Sequence, residues 1–170
     1  PVWPRPVCLR PVCLRCPSAV EPLNLPTYEF RTAERDGKRT VYDPVRDRYV
    51  RLTPEEWVRQ HFVQYLVQAL RVPAGLVAVE AAFEFQGQPQ RADIIVHDRR
   101  GEPLLLVECK APRVSIGQDA FDQGARYNLV LGAPYLVVTN GQTHYACAID
   151  FENRSYTFLD DLPPYAALLE

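Results

Sequence analysis

Asp93, Glu108 and Lys110 are the residues of this 170-residue chain whose types and spacing best suit chemistry. Asp93 interrupts the apolar run Ala92 to Val96, and a second run from Leu104 ends in Glu108-Cys109-Lys110. The turn signal Asp98-Arg99-Arg100-Gly101 lies between them, so the pair reads as a β-hairpin. Side chains alternate along a strand, which places Glu108 and Lys110 on one face and lets Asp93 meet them from the neighbouring strand. Two half-buried carboxylates repel each other, and a hard divalent cation such as Mg2+ relieves that repulsion. A lysine beside them can orient or activate water for attack on phosphorus and stabilise the charge that develops. A salt bridge at a strand end is the plainer reading of a lone Glu-x-Lys; the acid on the partner strand weighs against it.

The flanking sequence supplies elements to position these groups. Thr53-Pro54-Glu55-Glu56 is a helix start, with Thr53 as cap and Glu56 completing a capping box. That helix is expected to run to about Leu70, with Val58, Phe62, Tyr65, Leu66 and Ala69 as its apolar stripe. Glu56 has two readings, the cap and an acid placed over a metal. Leu76 to Phe85 reads as a strand with Glu80 and Glu84 on one face and Val79, Ala81, Phe83 and Phe85 on the other. Ser115 with Gln118 suggests a second capping box, opening a helix that ends at Gly132-Ala133-Pro134. Gln123 and Tyr127 share a face of it, four residues apart. Tyr135 to Thr139 follows as a strand parallel to the Glu-x-Lys strand. Thr143 to Asp150 and Ser155 to Leu159 read as a trailing hairpin, and residues 36 to 52 as a short leading one.

Composition sets outer limits. The hydrophobic fraction of 47% is enough for a core, and the net charge of -2 shows no general basic footprint for nucleic acid. No apolar run approaches the roughly 20 residues of a membrane span. Cys109 and Cys147 sit in apolar runs, whereas Cys8, Cys13 and Cys16 crowd the start. Their C-x4-C-x2-C spacing lacks a nearby fourth ligand for zinc. An odd cysteine count without a signal-peptide pattern points to a reducing cytoplasm. Residues 1–35 read as a Pro-rich arm, with PVCLR twice in tandem and Arg5, Arg10 and Arg15 available to phosphate. It is expected to be disordered. Residues 36–165 form the expected domain, and 166–170 a tail.

The order helix, Asp-bearing hairpin, strand ending Glu-x-Lys, helix, strand resembles the PD-(D/E)xK nuclease superfamily, with Ala92 in place of the motif's proline. Gln123 and Tyr127, as Q-x-x-x-Y, resemble an extra motif of one branch. PEEWVRQHFVQYL, RADIIV, PLLLVECKAP, FDQGARYNLVLGAPYLVVTNG and Tyr145 to Asp150 together resemble the N-terminal nuclease domain of type I restriction enzyme R subunits, over about Tyr42 to Tyr165. The resemblance implies a restriction-endonuclease-like α/β core, a mixed central sheet flanked by helices in the order αβββαβ with a trailing hairpin. It implies Mg2+-dependent cleavage of double-stranded DNA, with Mn2+ as a substitute. Asp93 and Glu108 would be metal ligands, Glu56 a helix-borne acid near the metal, and Lys110 the residue positioning water. Gln123 and Tyr127 would support the site, and Arg113, Ser115 and Arg126 are the candidates for phosphate contact. A helicase motor and methylation and specificity subunits would be partners. No G-x-x-x-x-G-K-[ST] motif occurs in these residues, so motor work and target choice are expected elsewhere.

A non-catalytic DNA-binding or assembly module on the same fold is the alternative, and the acidic pI of about 6.0 leaves room for it. A hydrolase built on Cys109 is a poor third reading. Cys109 is expected to face the core, away from Glu108 and Lys110, with no histidine placed to activate it.

Overall fold

The computed structural model describes residues 21–170. The tandem PVCLR arm and Cys8, Cys13 and Cys16 lie outside the described residues. Three strands, β1 (Thr32–Arg35), β2 (Lys38–Asp43) and β3 (Arg48–Arg51), form an antiparallel sheet of their own. Helix α1 (Pro54–Gln64) follows. Then come β4 (Val77–Phe85), β5 (Gln88–His97), β6 (Pro103–Cys109), α2 (Gln118–Leu131), β7 (Tyr135–Thr139), β8 (His144–Asp150), β9 (Ser155–Leu159) and the short α3 (Tyr165–Leu168). Strands β4 to β9 lie in sequence order in one six-stranded sheet. Among the described strands only the β6–β7 pair, joined through α2, is parallel, as expected for a strand reached by a helical crossover. The trailing hairpin is therefore part of the main sheet.

The sheet has two buried faces. Val58, Phe62 and Leu66 of the first helical segment pack with Ile94, Leu105, Val107 and Val137. Ala120 and Phe121 of α2 pack with Leu106, Leu136, Val138 and Cys147 on the other. Helix α2 lies close because Gly124 faces β7: a Cβ there would sit 3.1 Å from Leu136 Cδ1. Its end is fixed by Gly132 in the left-handed region (φ 69°) and by buried Asn128, whose amide bonds both the N–H and the carbonyl of Ala133.

Several expectations are corrected. The leading hairpin has a third strand, β1, because Asp36 and Gly37 both adopt positive φ and turn the chain back. Residues 21–35 are thus part of the fold, with Leu25 buried and Asn24 bonded to Gly141. The expected C-terminal tail also packs through buried Leu168, next to buried Leu162 and Tyr165 at the end of the expected domain, where the Tyr165 hydroxyl donates to the His97 carbonyl. Helix α1 ends at Gln64 and passes into a π turn, Tyr65–Ala69. The wider turn rotates the stripe, so Ala69 is exposed and Leu70 is buried. Ser115 does not cap α2; Gly117 holds that position without a side-chain bond. Thr53 does cap α1, its Oγ accepting from Glu56 N at 3.0 Å. The return half of that capping box is not made: the Thr53 N–H bonds the Arg51 carbonyl, and the Glu56 carboxylate goes elsewhere.

The most consequential difference lies in β4 and β5. Val77 and Val79 pack on the α1 face, but Ala81 and Phe83 pack on the α2 face. Strict alternation forbids that. Glu80 between them has φ 53°, a left-handed conformation that a non-glycine residue adopts at a cost of order 1–3 kcal/mol. Opposite it, Ala92 lies on the α2 face and Ile94 on the α1 face, so β5 changes phase at Asp93. The ladder pairs Val79 with Ile94 and Ala81 with Ala92 but omits Glu80 and Asp93. The two strands therefore distort together at the acid singled out from sequence.

Replacing Gly124 with valine forces a branched side chain against Leu136. Such overpacking costs about 1–3 kcal/mol, and the urea midpoint of unfolding will fall accordingly. An unchanged midpoint would show that α2 is not held to β7 by this contact.

Candidate active site

Strand β5 pairs with β6 only from Ile94 onward. Where the ladder stops, the Asp93 side chain takes over, its Oδ2 accepting from the Cys109 N–H at 2.6 Å. This bond fixes Asp93 at the end of β6, next to the residues that β6 delivers. Glu108 is almost fully buried (4% exposed), and its Oε1 accepts from Lys110 Nζ at 2.8 Å. Alternation along β6 thus brings Glu108 and Lys110 together as expected. The Cys109 side chain between them points into the core, where burial pushes its thiol well up. A thiol so placed is inert.

Helix α2 supplies the next contact. Lys110 Nζ also donates to Gln123 Oε1 at 2.9 Å, and Gln123 Nε2 lies 3.4 Å from the Tyr127 hydroxyl. That hydroxyl donates in turn to Gln90 Oε1 at 3.1 Å. Gln123 and Tyr127 therefore form a line of polar contacts running from the lysine back to β5. Gln90 carried no signal in the sequence.

Helix α1 supplies a cation that sequence reading did not identify. Arg59 Nη2 stands 2.6 Å from Asp93 Oδ1, 2.9 Å from Glu80 Oε1 and 3.3 Å from Glu55 Oε1. Its Nη1 bonds Glu56 Oε2 at 2.5 Å. The Glu55–Arg59 spacing of four was the available clue, since such residues meet on a helix. Glu56 is not directed at Asp93 and Glu108. Its other oxygen accepts from Arg46 at 2.5 Å and Gln60 at 2.8 Å, and Arg46 also bonds Asp43. This buried network ties the small sheet to α1. The helix-borne acid that senses the pair is Glu55, whose carboxyl is raised by burial and by the charge of Asp93.

Charge at the cluster is unbalanced. Glu55, Glu80, Asp93 and Glu108 face Arg59 and Lys110, and Arg91 approaches Glu80 only at 3.8 Å from an exposed position. Burial and the nearby Asp93 push the Glu108 carboxyl up to about 7, against the pull of Lys110. Burial opposes charge on Lys110, but its hydrogen bond to Glu108 prevails and holds the ammonium above its ordinary value. Among the described residues no three His, Cys, Asp or Glu side chains are grouped so as to hold a metal. Two hard carboxylates with an excess of negative charge nevertheless fit Mg2+, which is commonly bound through one or two carboxylates with water and phosphate oxygens completing its shell.

The expected phosphate contacts are scattered. Arg113, three residues beyond Lys110, is exposed and bonds Glu21 at 2.9 Å. Ser115 is exposed in the loop before α2. Arg126 bonds the Asp122 carbonyl on the outer side of α2 and lines a shallow depression with Asp119 and Asp122. These acids oppose phosphate binding there.

Because the folded-state value of Glu108 lies above the ordinary 4.5, the native state binds the extra proton between those values. Stability therefore falls as pH rises from about 4.5 to about 7. Glu108→Gln will flatten that slope and leave the protein about 1–3 kcal/mol more stable than wild type at pH 8. Urea unfolding of both proteins at pH 5 and pH 8 measures this. A variant with the wild-type slope would show that Glu108 ionises without penalty.

The family described as "Type I restriction enzyme R protein N terminus (HSDR_N)" matches residues 54–163. The type I restriction enzyme EcoAI endonuclease subunit of Escherichia coli is 31% identical over 74 residues, 44% of this chain and 9% of that protein. A solved fragment assigned to an HsdR subunit of a type I restriction enzyme from Vibrio vulnificus YJ016 superposes with a TM-score of 0.50 at 20% identity. It covers 69% of this chain, and this chain spans 25% of it. That likeness supports the mixed α/β, restriction-endonuclease-like fold, and the chain belongs to the family of type I restriction enzyme R protein N-terminal domains.

Proposed function

We propose that this domain is the Mg2+-dependent endonuclease of a type I restriction system and hydrolyses phosphodiester bonds of double-stranded DNA. The observation that carries the reading is the meeting of Asp93, Glu108 and Lys110 where β5 parts from β6, within a family named for restriction enzyme R proteins. Asp93 and Glu108 would hold the cation, which when bound supplies Lewis acidity toward a phosphate oxygen and the attacking water. Mn2+ would substitute.

The protein groups divide the remaining work according to their protonation. Lys110 stays cationic at neutral pH, so its part is to orient water and neutralise charge growing on the phosphate, not to remove a proton. Glu108, whose carboxyl burial and Asp93 push up to about 7 in the metal-free protein, would be held as a carboxylate once it takes the cation, so its part is to bind the metal. Gln123 fixes the Lys110 ammonium with a second hydrogen bond beside that of Glu108, and Tyr127 steadies Gln123. Of the expected phosphate contacts Arg113 and Ser115 remain candidates for the DNA backbone, and Arg113 stands nearest Lys110 in the chain. A helicase motor and methylation and specificity subunits would complete the enzyme, in keeping with the 9% of the Escherichia coli relative that this chain spans.

Purified protein with Mg2+ will nick or cut supercoiled plasmid. Lys110→Ala will lower that rate by about 100-fold or more while its thermal unfolding stays close to wild type. Cleavage at the wild-type rate by a folded Lys110→Ala protein would remove the lysine from the mechanism.

A further inference from the structure

Among the described residues Arg59 is the cation paired with Asp93, and its mode of attachment bears on metal binding. Its side chain is 5% exposed, so its charge needs partners. Among the described residues every partner of its Nη atoms is a carboxylate: Asp93, Glu80 and Glu55 on Nη2, and Glu56 on Nη1. Its Nε finds no partner among the described residues. An Nη nitrogen carries two hydrogens, yet three carboxylates crowd Nη2. One acceptor is always left short, and the head is fixed only by groups that a divalent ion would also attract. Glu80 is brought to this point by the strained backbone at φ 53°, which marks the arrangement as built in.

We propose, building on the metal-dependent reading above, that Arg59 is a tethered counter-cation that holds Asp93, Glu80 and Glu55 together while the metal is absent and competes with the divalent ion for them. Binding of the ion displaces Nη2 from Asp93, while the Nη1 bond to Glu56 keeps the guanidinium from leaving altogether. Arg59 is in this sense a positioning residue. It prevents four gathered carboxylates from driving the strands apart, and it sets how much cation is needed to occupy the site.

The test is Mn2+ alone, without DNA, titrated into the full chain with free Mn2+ followed by electron paramagnetic resonance. Arg59→Gln, which keeps hydrogen-bonding capacity but removes the charge, will bind Mn2+ about tenfold more tightly than wild type, since a like charge a few ångströms away is removed. The same variant will gain more in melting temperature on adding Mn2+ than wild type does. Adding Asp93→Asn will abolish the gain. Equal or weaker Mn2+ binding by Arg59→Gln would overturn the competition while leaving the nuclease reading intact. Absence of Mn2+ binding from both proteins would overturn the two together. If Arg59→Gln does not fold, the wild type decides through its arginine side-chain nitrogen resonances. The Arg59 Nη protons, protected from exchange without metal, will exchange rapidly at saturating Mg2+; protection that persists would reject the proposal.

Discussion

The structure turns on an electrostatic constraint: more carboxylate than cation is gathered where β5 separates from β6. Among the described residues Glu55, Glu80, Asp93 and Glu108 meet Arg59 and Lys110 within 3.3 Å, and Arg91 reaches Glu80 only at 3.8 Å. Charges taken out of water are expensive unless paired. A fold optimised for stability alone would place apolar side chains at these positions. The cost is visible in Glu108, whose carboxyl is driven up to about 7 by burial and by Asp93. It is visible too in the left-handed backbone of Glu80 inside a strand. Strain and unpaired charge at one place fit the proposed site for a divalent cation and a phosphate.

The rest of the fold serves to hold this cluster rigid. Two helices clamp the sheet from opposite faces, and each sends side chains to the site. Helix α1 sends Arg59 to Asp93, and α2 sends Gln123 to Lys110. The apolar residues of β6 are buried on both faces, so the register that delivers Glu108 and Lys110 cannot slip without exposing the core. The small sheet is bound in through Arg46, which joins Asp43 at the end of its central strand to Glu56 at the start of α1. Ion pairs away from the reacting groups thus fix the helix from which Arg59 reaches in.

Much of this arrangement was legible in the sequence because short-range rules govern it. Period-two alternation placed Glu108 and Lys110 together, and the Asp98–Gly101 turn paired their strand with that of Asp93. Thr53 and Gly132 marked helix ends through the hydrogen bonds and backbone angles those positions demand. What escaped was non-local. Glu55 and Glu56 are equivalent in sequence, and only the position of Arg46 on a separate hairpin draws Glu56 away and leaves Glu55 near Asp93. The flip of β4 at Glu80 breaks the very alternation on which sequence reading relies. The π turn after Gln64 likewise shifts the helical stripe by one residue.

The central claim is that this surplus of acid is a cation site. Isothermal titration of Mg2+ into the wild-type chain and the Asp93→Asn chain tests it most directly. The account predicts one saturable site in wild type that is lost in the variant. Indistinguishable heats for the two proteins would contradict it.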